Sequence, residues 1–457
     1  MKRESFRSRL GFLLVSAGCA IGIGNVWRFP YVTGKNGGGY FVLFYILCLL
    51  IMGVPVLTME LAVGRASHKS AILAYKTLEK PKSKWHIHGW FCLIGCYLLM
   101  MYYTTVSGWM VSYFGRFLTG KFYSGMPAED ASAVFGQLLS DPVEMGILAV
   151  AIVIVGFIVC SFGLQKGLER VSKVMMIALL ALILILAVHS LTLSGAAEGM
   201  KFYLLPSMDS IRENGLRSLI TDAMNQAFFT LSLGIAAMEI FGSYMSDDHA
   251  LAGESIRICA LDTFVALMAG TIIFPACFTF GVHPSQGPGL VFVALPNIFA
   301  SMENGRLWGT LFFVFMSFAA LTTVIAVFEN MVSYFIDRYG MHRRRAVVVN
   351  AILLWLLSLP CALGFNVLSG FTPFGPGSCV LDLEDFIMSN NLLPLGSLLI
   401  VLFCSLHSGW GWDNFLLEAN AGRGLKVRQW MKPMFQYVVP AAILFIYVYG
   451  MATFQWK

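Results

Sequence analysis

Residues 17–30 read Ala17-Gly18-Cys19-Ala20-Ile21-Gly22-Ile23-Gly24-Asn25-Val26-Trp27-Arg28-Phe29-Pro30, an apolar segment interrupted by glycines, an amide, a guanidinium and a proline. Every backbone N–H and C=O in hydrocarbon needs a partner, so such a break is tolerated only where it faces protein or a polar cavity. There its free carbonyl and amide groups can bind a ligand. The alternative is a close helix contact, since small residues let two helices approach. The stretch therefore predicts either a binding site or a tight helix crossing.

A second interrupted segment favours the binding site. Residues 225–234 read Asn225-Gln226-Ala227-Phe228-Phe229-Thr230-Leu231-Ser232-Leu233-Gly234 and carry the same mixture of small, hydroxyl and amide residues near the middle of an apolar stretch. Two broken helices whose backbone groups face one cavity are the usual construction of a transporter binding site.

The composition is that of a polytopic membrane protein. Hydrophobic residues occupy 58% of the 457 positions and charged residues only 12%, both far from the shares of a soluble domain. The net charge of +6 does not indicate a nucleic-acid partner, because lysine and arginine cluster in short loops, as the positive-inside rule describes. Nearly all of the ten cysteines lie in apolar stretches without metal-ligand spacing, so we expect them to be small packing residues.

Windows of about 20 apolar residues predict eleven spans. Basic residues collect at the N-terminus and in alternate loops, which predicts a cytoplasmic N-terminus in the inner (plasma) membrane. The first apolar run lacks a small-residue cleavage site, so we expect it to be retained. The predicted spans lie at residues 10–31, 40–63, 90–117, 144–161, 171–193, 220–245, 257–282, 308–336, 346–364, 391–407 and 436–455.

The two interrupted spans are the first and the sixth. This interval is expected if spans 1–5 (about 10–193) and spans 6–10 (about 220–407) are inverted repeats with a site at their interface. Span 11, at about 436–455, follows the repeats, and no linker divides the chain, so we expect a single domain over residues 1–457. The loop at 283–305 is long, apolar and broken by prolines, which fits either a lid on the outer mouth or an ordinary surface loop.

The motifs that carry these features resemble the neurotransmitter:sodium symporter family. The resemblance implies an all-α polytopic membrane fold of the leucine-transporter type, in which a 5+5 inverted repeat with broken helices 1 and 6 forms a single transporter domain of about 11 transmembrane helices. It covers most of the chain, through Arg9-Leu10-Gly11, residues 20–30, Asn36-Gly37-Gly38-Gly39, Gly53-Val54-Pro55 to Glu60, Tyr102-Tyr103, residues 226–234 and Ala319-Ala320-Leu321-Thr322-Thr323.

Two sodium sites are implied by this resemblance. Carbonyls of unwound helices and facing hydroxyls supply the oxygen ligands that hard cations prefer. The threonine pair at 322–323 is weak evidence by itself, because threonine often hydrogen-bonds within its own spanning helix. The first site would use Ala20, Asn25, Thr230 and Asp262 with a substrate carboxylate, and the second would use backbone oxygens of Gly18, Ile21 and Ala319 with Thr322 and Thr323.

The substrate implied by the resemblance is an α-amino acid. Its carboxylate would meet the Tyr103 hydroxyl, the N–H groups around Ile23 and Gly24, and the first sodium ion. Its ammonium group would face carbonyls of the two breaks, at Ala20 among others, and the Ser232 hydroxyl. Relatives that carry amines tend to have aspartate at Gly22, whereas glycine leaves room for a carboxylate. A neutral hydrophobic or small side chain would fit the mostly apolar pocket of Leu99, Tyr103, Phe229, Ser232, Ile235, Thr323 and Val327.

Two departures from the family pattern concern this pocket. Ala236 stands where relatives often have glycine, so we expect a narrower pocket. Glu239 stands where relatives are usually apolar. A carboxylate at membrane depth is a functional candidate by default, although it can also be protonated or paired in the packing between helices.

Gates and chloride are the remaining implications of the resemblance. Arg28 would pair with Asp385 outside the site, above a lid of Tyr103 and Phe229, and Arg3 would pair with Asp337 on the inside, near Tyr244. In chloride-dependent relatives the position of Asp262 is usually asparagine, and a serine replaces Ala266, while Tyr45, Gln226 and Thr230 match the rest of the anion site. Asp262 would replace the anion or merely ligate sodium, and either role predicts that chloride is not required.

Other function classes fit the sequence less well. A membrane enzyme is not expected, because the chain has no metal motif of the His-Glu-x-x-His kind and no Ser, His and Asp arrangement at membrane depth. A channel would need polar residues along several spans, whereas here they cluster at one level. A sodium-coupled amino-acid importer fits best, with the amino acid and the lipid bilayer as its partners. A proton-coupled carrier and a non-transporting sensor on the same scaffold stay open, since fold does not fix function.

Overall fold

The computed structural model describes residues 4–206, 215–282 and 289–452, and this part of the chain is helical without a β-strand. Within it, nine continuous helices are long and apolar enough to cross a bilayer, and the bent pair in span 1 makes a tenth. The interrupted helix of span 6 completes the eleven predicted spans. They are Arg9–Ala20 with Gly24–Lys35 (span 1), Gly39–Ser67 (2), His86–Leu118 (3), Pro142–Ser161 (4), Leu164–Leu191 (5), Leu216–Thr230 with Glu239–Gly242 (6), Leu251–Thr279 (7), Gly305–Tyr339 (8), Arg343–Leu363 (9), Val380–Ser405 (10) and Gln429–Ala452 (11).

Span 1 is broken where the glycine-rich stretch predicted. The inner half ends at Ala20, Ile21 is extended (φ −71°, ψ 101°), and the outer half begins at Gly24 with its axis bent by 52°. The Asn25 side-chain oxygen accepts the Gly22 N–H at 3.0 Å, which satisfies a backbone donor that the break has removed from the helix. A side chain within the break therefore replaces a backbone hydrogen bond that the helix has lost there.

Span 6 is broken over a longer stretch. Its outer half ends at Thr230, and left-handed backbone at Ser232 (φ 52°), Gly234 (φ 91°) and Ala236 (φ 57°) precedes the short inner helix Glu239–Gly242. Left-handed conformations cost about 1–3 kcal/mol at non-glycine residues, so the surroundings must hold them. Span 10 packs directly on the turn, since a Cβ at Gly396 would lie 1.9 Å from the Gly234 carbonyl oxygen.

Short helices in the loops and the starts of two spans differ from the sequence prediction. Span 10 begins at Val380 rather than near residue 391, because Asp382, Glu384 and Asp385 lower the hydropathy of its first turns although Glu384 is buried. Span 5 begins at Leu164 rather than near residue 171. The unpredicted loop helices are Ala71–Leu78, Ala128–Ser140, Ala196–Leu204, Leu290–Ser301 and Trp412–Ala419.

The spans divide into an enclosed set and a lipid-facing set. The apolar window of span 8 is 78% buried and that of span 3 is 72% buried, whereas span 11 is only 28% buried. Exposed isoleucine, leucine and valine side chains cover spans 4, 5 and 9. Such a surface is stable only in hydrocarbon, so the chain is a multi-pass membrane protein whose enclosed spans surround the two breaks.

The loop predicted as a lid or a surface segment is helical where the structure describes it. Residues 283–288 lie outside the described residues. Phe292, in the helix Leu290–Ser301, is fully buried and packs edge-on against Trp27 and Trp109, at ring-centroid distances of 6.1 and 5.5 Å. Its carbonyl oxygen accepts the Tyr113 hydroxyl at 2.7 Å. Phe292 thus packs between spans 1 and 3, and the lid over the outer mouth stays a prediction.

Candidate functional site

A narrow cavity lies between the two breaks. Its walls are apolar apart from three hydroxyl groups and the exposed backbone of span 1. Eight of its nine residues were predicted, and the ninth, Leu393, comes from span 10. The lining consists of Ala20, Gly22, Gly24, Leu99, Tyr103, Phe229, Ser232, Thr323 and Leu393.

Three of the predicted substrate-binding residues, Ile23, Ile235 and Val327, are absent from this lining, although the Ile23 N–H is bonded to Tyr103 at its edge. Ile23 lines a separate outer cavity. Ile235 and Val327 are fully buried outside the lining, and Ile235 packs against Gly95 of span 3, where an added Cβ would be 2.6 Å from the isoleucine Cγ2. Ala236 does not line the cavity either, since its side chain packs in a small apolar cluster with Ala71 and Cys92. The turn in span 6 directs the side chains of Ile235 and Ala236 away from the central cavity.

Gly22 and Tyr103 meet at one end of the cavity. The Tyr103 hydroxyl accepts the Ile23 N–H at 3.0 Å, at the start of the outer half of span 1. A Cβ on Gly22 would lie 2.2 Å from that hydroxyl and 2.6 Å from the Thr323 hydroxyl. No side chain fits at this position, so the hydroxyl of Tyr103 faces bare backbone.

Asp262 is the centre of a fully buried polar cluster beside this end of the cavity. Its carboxylate accepts the Asn25 amide at 2.7 Å and the Thr230 hydroxyl at 3.2 Å, and the Tyr45 hydroxyl approaches to 3.4 Å. The Gln226 amide donates to the Gly24 carbonyl at 2.8 Å. Of the residues predicted for the first sodium site, Asn25 and Thr230 therefore contact the buried Asp262 carboxylate, and Ala20 lines the adjacent cavity.

Thr323 is the hydroxyl that faces the first break. Its Oγ1 lies 3.4 Å from the carbonyl oxygens of Gly18, Ile21 and Ala319. Thr322 differs, because its hydroxyl donates to carbonyls of its own helix at 3.0 Å. The Cys19 carbonyl oxygen lies 3.2 Å from the Thr323 hydroxyl, so four carbonyl oxygens and one hydroxyl converge where the second sodium site was predicted.

Glu60 supports the break in span 6, and the sequence analysis assigned it no role. Its carboxylate accepts the Gly234 N–H at 2.6 Å and the Met238 N–H at 3.3 Å, and the side chain is fully buried. These are the backbone donors that the turn removes from helical pairing. A carboxylate within an apolar span is the signal that could have identified it.

The predicted outer gate is assembled through a serine that sequence reasoning missed. The Arg28 guanidinium lies 3.7 Å from the Asp385 carboxylate, and Ser389 bridges them by accepting from Arg28 at 2.8 Å and donating to Asp385 at 2.6 Å. Arg28 also lies over the Phe229 ring, 4.4 Å from its centroid. The rings of Tyr103 and Phe229 line both the central and the outer cavity, so they form the partition between the two.

The side of the cavity opposite the Arg28 gate contains an ion pair that the sequence analysis did not predict. Arg3 lies outside the described residues, so its pair with Asp337 stays a prediction, and the Asp337 carboxylate accepts the Ser70 N–H at 2.7 Å. The Tyr244 hydroxyl instead donates to buried Glu329 at 2.8 Å, and Glu329 pairs with Arg343 at 2.7 Å.

An all-helical membrane protein with a central cavity between two broken spans, and charged closures on both sides of it, has the architecture of a secondary transporter. The chain matches the model of the Sodium:neurotransmitter symporter family over residues 3–125 and 136–457. The chain belongs to this family, whose members are transporters rather than enzymes.

Three relatives illustrate the match. The sodium-dependent transporter YhdH of Bacillus subtilis is 35% identical over 451 residues, which cover 98% of this chain and 97% of the relative. The sodium-dependent serotonin transporter of Drosophila melanogaster is 27% identical, covering 99% of this chain and 77% of the relative. The crystal structure of MhsT in complex with L-phenylalanine superposes with a TM-score of 0.88 at 36% identity, covering 98% of this chain and 99% of that one. The fold is therefore the leucine-transporter-like fold, and the chain is a sodium-dependent symporter.

Proposed function

We propose that this symporter imports a neutral α-amino acid with an apolar or small side chain, by alternating access. The observation that carries the proposal is that two helix ends of opposite polarity, the C-terminus of one half of span 1 and the N-terminus of the other, meet at the cavity. The outer half of span 1 starts there, with the Ile23 N–H and the Tyr103 hydroxyl, while the first half of span 1 ends at Ala20. Helix N-termini attract anions and C-termini attract cations, so the cavity complements a zwitterion.

The side-chain end of the cavity supports an apolar substrate. Leu99, Phe229 and Leu393 form its walls, and Ser232 and Thr323 contribute small hydroxyl groups. No charged side chain lines the cavity in the described structure. A charged substrate side chain would be buried without a partner, which is costly in a low-dielectric site. The similarity to MhsT, whose complex holds L-phenylalanine, supports the same conclusion.

Two sodium ions are proposed as the driving ions. The Asp262 carboxylate, with Asn25 and Thr230, supplies hard oxygen ligands next to the carboxylate end of the cavity. The Thr323 hydroxyl and the carbonyls of Gly18, Ile21 and Ala319 form the second set. Because Asp262 is a fixed negative charge beside the first ion, chloride is not needed as a compensating anion.

The gates and the topology complete the proposal. The outer side is closed by Arg28, Asp385 and Phe229. The inner side is closed by the pair of Arg3 with Asp337 and by the contact of Tyr244 with Glu329, which pairs with Arg343. Residues 1–457 act as a single transporter domain of two repeats. The N-terminus lies in the cytoplasm and the chain lies in the plasma membrane, as the basic loops indicate.

Ligand analogues test the zwitterion requirement. Purified protein is screened for thermal stabilisation by the neutral amino acids in sodium chloride, and the best ligand is then compared with its decarboxylated amine, such as L-phenylalanine with phenethylamine. We expect stabilisation by the amino acid only, and only in sodium rather than potassium. Equal stabilisation by the amine would contradict the assignment of the carboxylate to Tyr103 and the span 1 amides.

A further inference from the structure

Glu239 is a buried carboxylic acid that the proposed transport mechanism does not use. It begins the inner helix of span 6, it is fully buried, and neither of its carboxyl oxygens has a hydrogen-bond partner in the structure. An ionised carboxylate without a partner is strongly disfavoured in such surroundings, whereas a protonated one is tolerated.

The described residues around Glu239 supply no compensating positive charge. The Tyr75 hydroxyl faces it without reaching hydrogen-bond geometry. The nearby basic groups are committed elsewhere, since Arg65 pairs with Glu418 at 2.6 Å and Arg343 pairs with Glu329 at 2.7 Å. The titratable groups that face the Glu239 site are acidic or neutral, and they are Glu60 of span 2, Tyr75 of the helix Ala71–Leu78, Cys92 and Cys96 of span 3, and Cys404 of span 10, with buried His88 beyond Tyr75 and Cys92.

Glu60 and Glu239 are neighbouring buried acids, and Glu60 has the surroundings that favour the ionised form. It accepts two backbone N–H groups, from Gly234 and Met238, and it also faces the N–H of Glu239 itself. Hydrogen bonds donated to a carboxylate favour its ionised form, and the negative charge of that carboxylate disfavours ionisation of a second acid nearby. One proton shared by the two acids therefore resides on Glu239.

Glu239 also lies where span 6 meets other spans, with span 2 on one side and spans 3 and 10 beside the preceding turn. The inner part of span 6 is fixed to span 2, since a Cβ at Gly64 would lie 1.8 Å from the Glu239 carbonyl oxygen. The turn just before Glu239 lies against spans 3 and 10, since the Cys96 thiol donates to the Ile235 carbonyl at 3.3 Å and a Cβ at Gly396 would lie 1.9 Å from the Gly234 carbonyl oxygen. A movement that opens the cytoplasmic half, by shifting spans 2 and 6 away from spans 3 and 10, exposes this carboxyl group to water.

We propose that Glu239 is a proton-binding site, which holds a proton while the cytoplasmic half is closed and releases it to cytoplasmic water when that half opens. The inference rests on the proposed function for the opening movement alone. A proton bound only in the closed arrangement makes acidic pH favour closure and alkaline pH favour opening, by up to tenfold per pH unit for one proton.

An introduced thiol measures the opening directly. Ser16 is fully buried on the inner half of span 1, so Ser16→Cys is labelled by a membrane-impermeant maleimide only after opening. Labelling rates at residue 16 are read by peptide mass spectrometry, so that the ten native cysteines do not contribute. They are measured on full-length protein at several pH values without sodium, in the Ser16→Cys background and with Glu239→Gln, Glu239→Met or Glu384→Gln added. Glu384 is the matched control, because it is a second buried acid without a hydrogen-bond partner, on span 10 beside the outer gate.

The comparison between backgrounds removes the intrinsic pH dependence of thiol labelling. We expect the rise in labelling with pH to be several-fold steeper in the Ser16→Cys protein and with Glu384→Gln than with either Glu239 variant. Equal pH profiles in all four proteins would overturn the proposal. Infrared spectroscopy gives a second readout, since the C=O stretch of a protonated carboxyl should lose intensity in Glu239→Gln.

Sodium-driven uptake, measured on the same proteins, separates the two proposals. Normal uptake with equal pH profiles contradicts the proton site alone. A steeper profile that depends on Glu239, in a protein without uptake, supports the proton site and contradicts the proposed function.

Discussion

Alanine at Gly22 is the substitution that most directly tests the geometry of the binding cavity. Its Cβ would lie 2.2 Å from the Tyr103 hydroxyl and 2.6 Å from the Thr323 hydroxyl, so Tyr103 must move and lose its 3.0 Å hydrogen bond to the Ile23 N–H. Overpacking costs about 1–3 kcal/mol, and an unsatisfied buried donor costs about 1–3 kcal/mol more. The sum of roughly 2–6 kcal/mol corresponds to at least a roughly 30-fold loss of affinity.

Radioligand binding to purified protein in sodium measures this loss, with the amino acid that stabilises the protein best as the ligand. Gly115→Ala in span 3 is the control, because its Cβ would meet nothing within 4 Å. In a Tyr103→Phe background the hydroxyl is absent, so the added cost of Gly22→Ala should be smaller there. Wild-type affinity in Gly22→Ala, or strictly additive losses in the double variant, would refute the reasoning.

Three further predictions concern the ions and the outer gate. Thr323→Ala should raise the sodium concentration needed for half-maximal binding by roughly tenfold or more, because the ion loses an oxygen ligand, a loss comparable to that of a hydrogen bond to a charged group. Thr322→Val should have a smaller effect, because the Thr322 hydroxyl bonds to its own helix. Equal sodium dependence in Thr323→Ala and wild type would remove Thr323 from the site. Asp262→Asn with Ala266→Ser should make uptake depend on chloride, and equal activity in chloride and gluconate would contradict charge replacement by Asp262. Arg28→Met removes both the contact with Phe229 and the pair with Asp385. The bound amino acid should then dissociate roughly 5–30-fold faster, for a loss of about 1–2 kcal/mol. The control Lys35→Met breaks an exposed ion pair with Asp222 and should leave the dissociation rate unchanged.

The breaks were predictable from the sequence because their residues are unsuitable for a continuous span. Gly22, Gly24 and Asn25 indicate the first break. In the structure the Asn25 side chain accepts the Gly22 N–H within the break and donates to the Asp262 carboxylate. The family resemblance then located residues from distant spans, such as Thr323, that local patterns cannot connect. Periodicity alone would have left that threonine as an ordinary helix residue.

The missed features depend on tertiary contacts that no local pattern records. Leu393 reaches the cavity because span 10 packs against the Gly234 turn, and Ser389 joins the outer gate because it lies one turn from Asp385. Ile235, which the family resemblance assigned to the pocket, is absent from the cavity lining, and the backbone just before it is left-handed at Ser232 and Gly234. The start of span 10 was missed because its acidic residues resemble a loop in hydropathy.

Uptake into proteoliposomes tests the central claim most directly. The protein is reconstituted with potassium inside, and accumulation of the labelled amino acid is followed with an inward sodium gradient at equal pH on both sides, with potassium in place of sodium, and with a proton gradient in sodium-free medium. The proposed function predicts accumulation above equilibrium with the sodium gradient alone, and unchanged accumulation when gluconate replaces chloride. Accumulation driven equally by the proton gradient without sodium, or sodium-dependent binding without any accumulation, would contradict it.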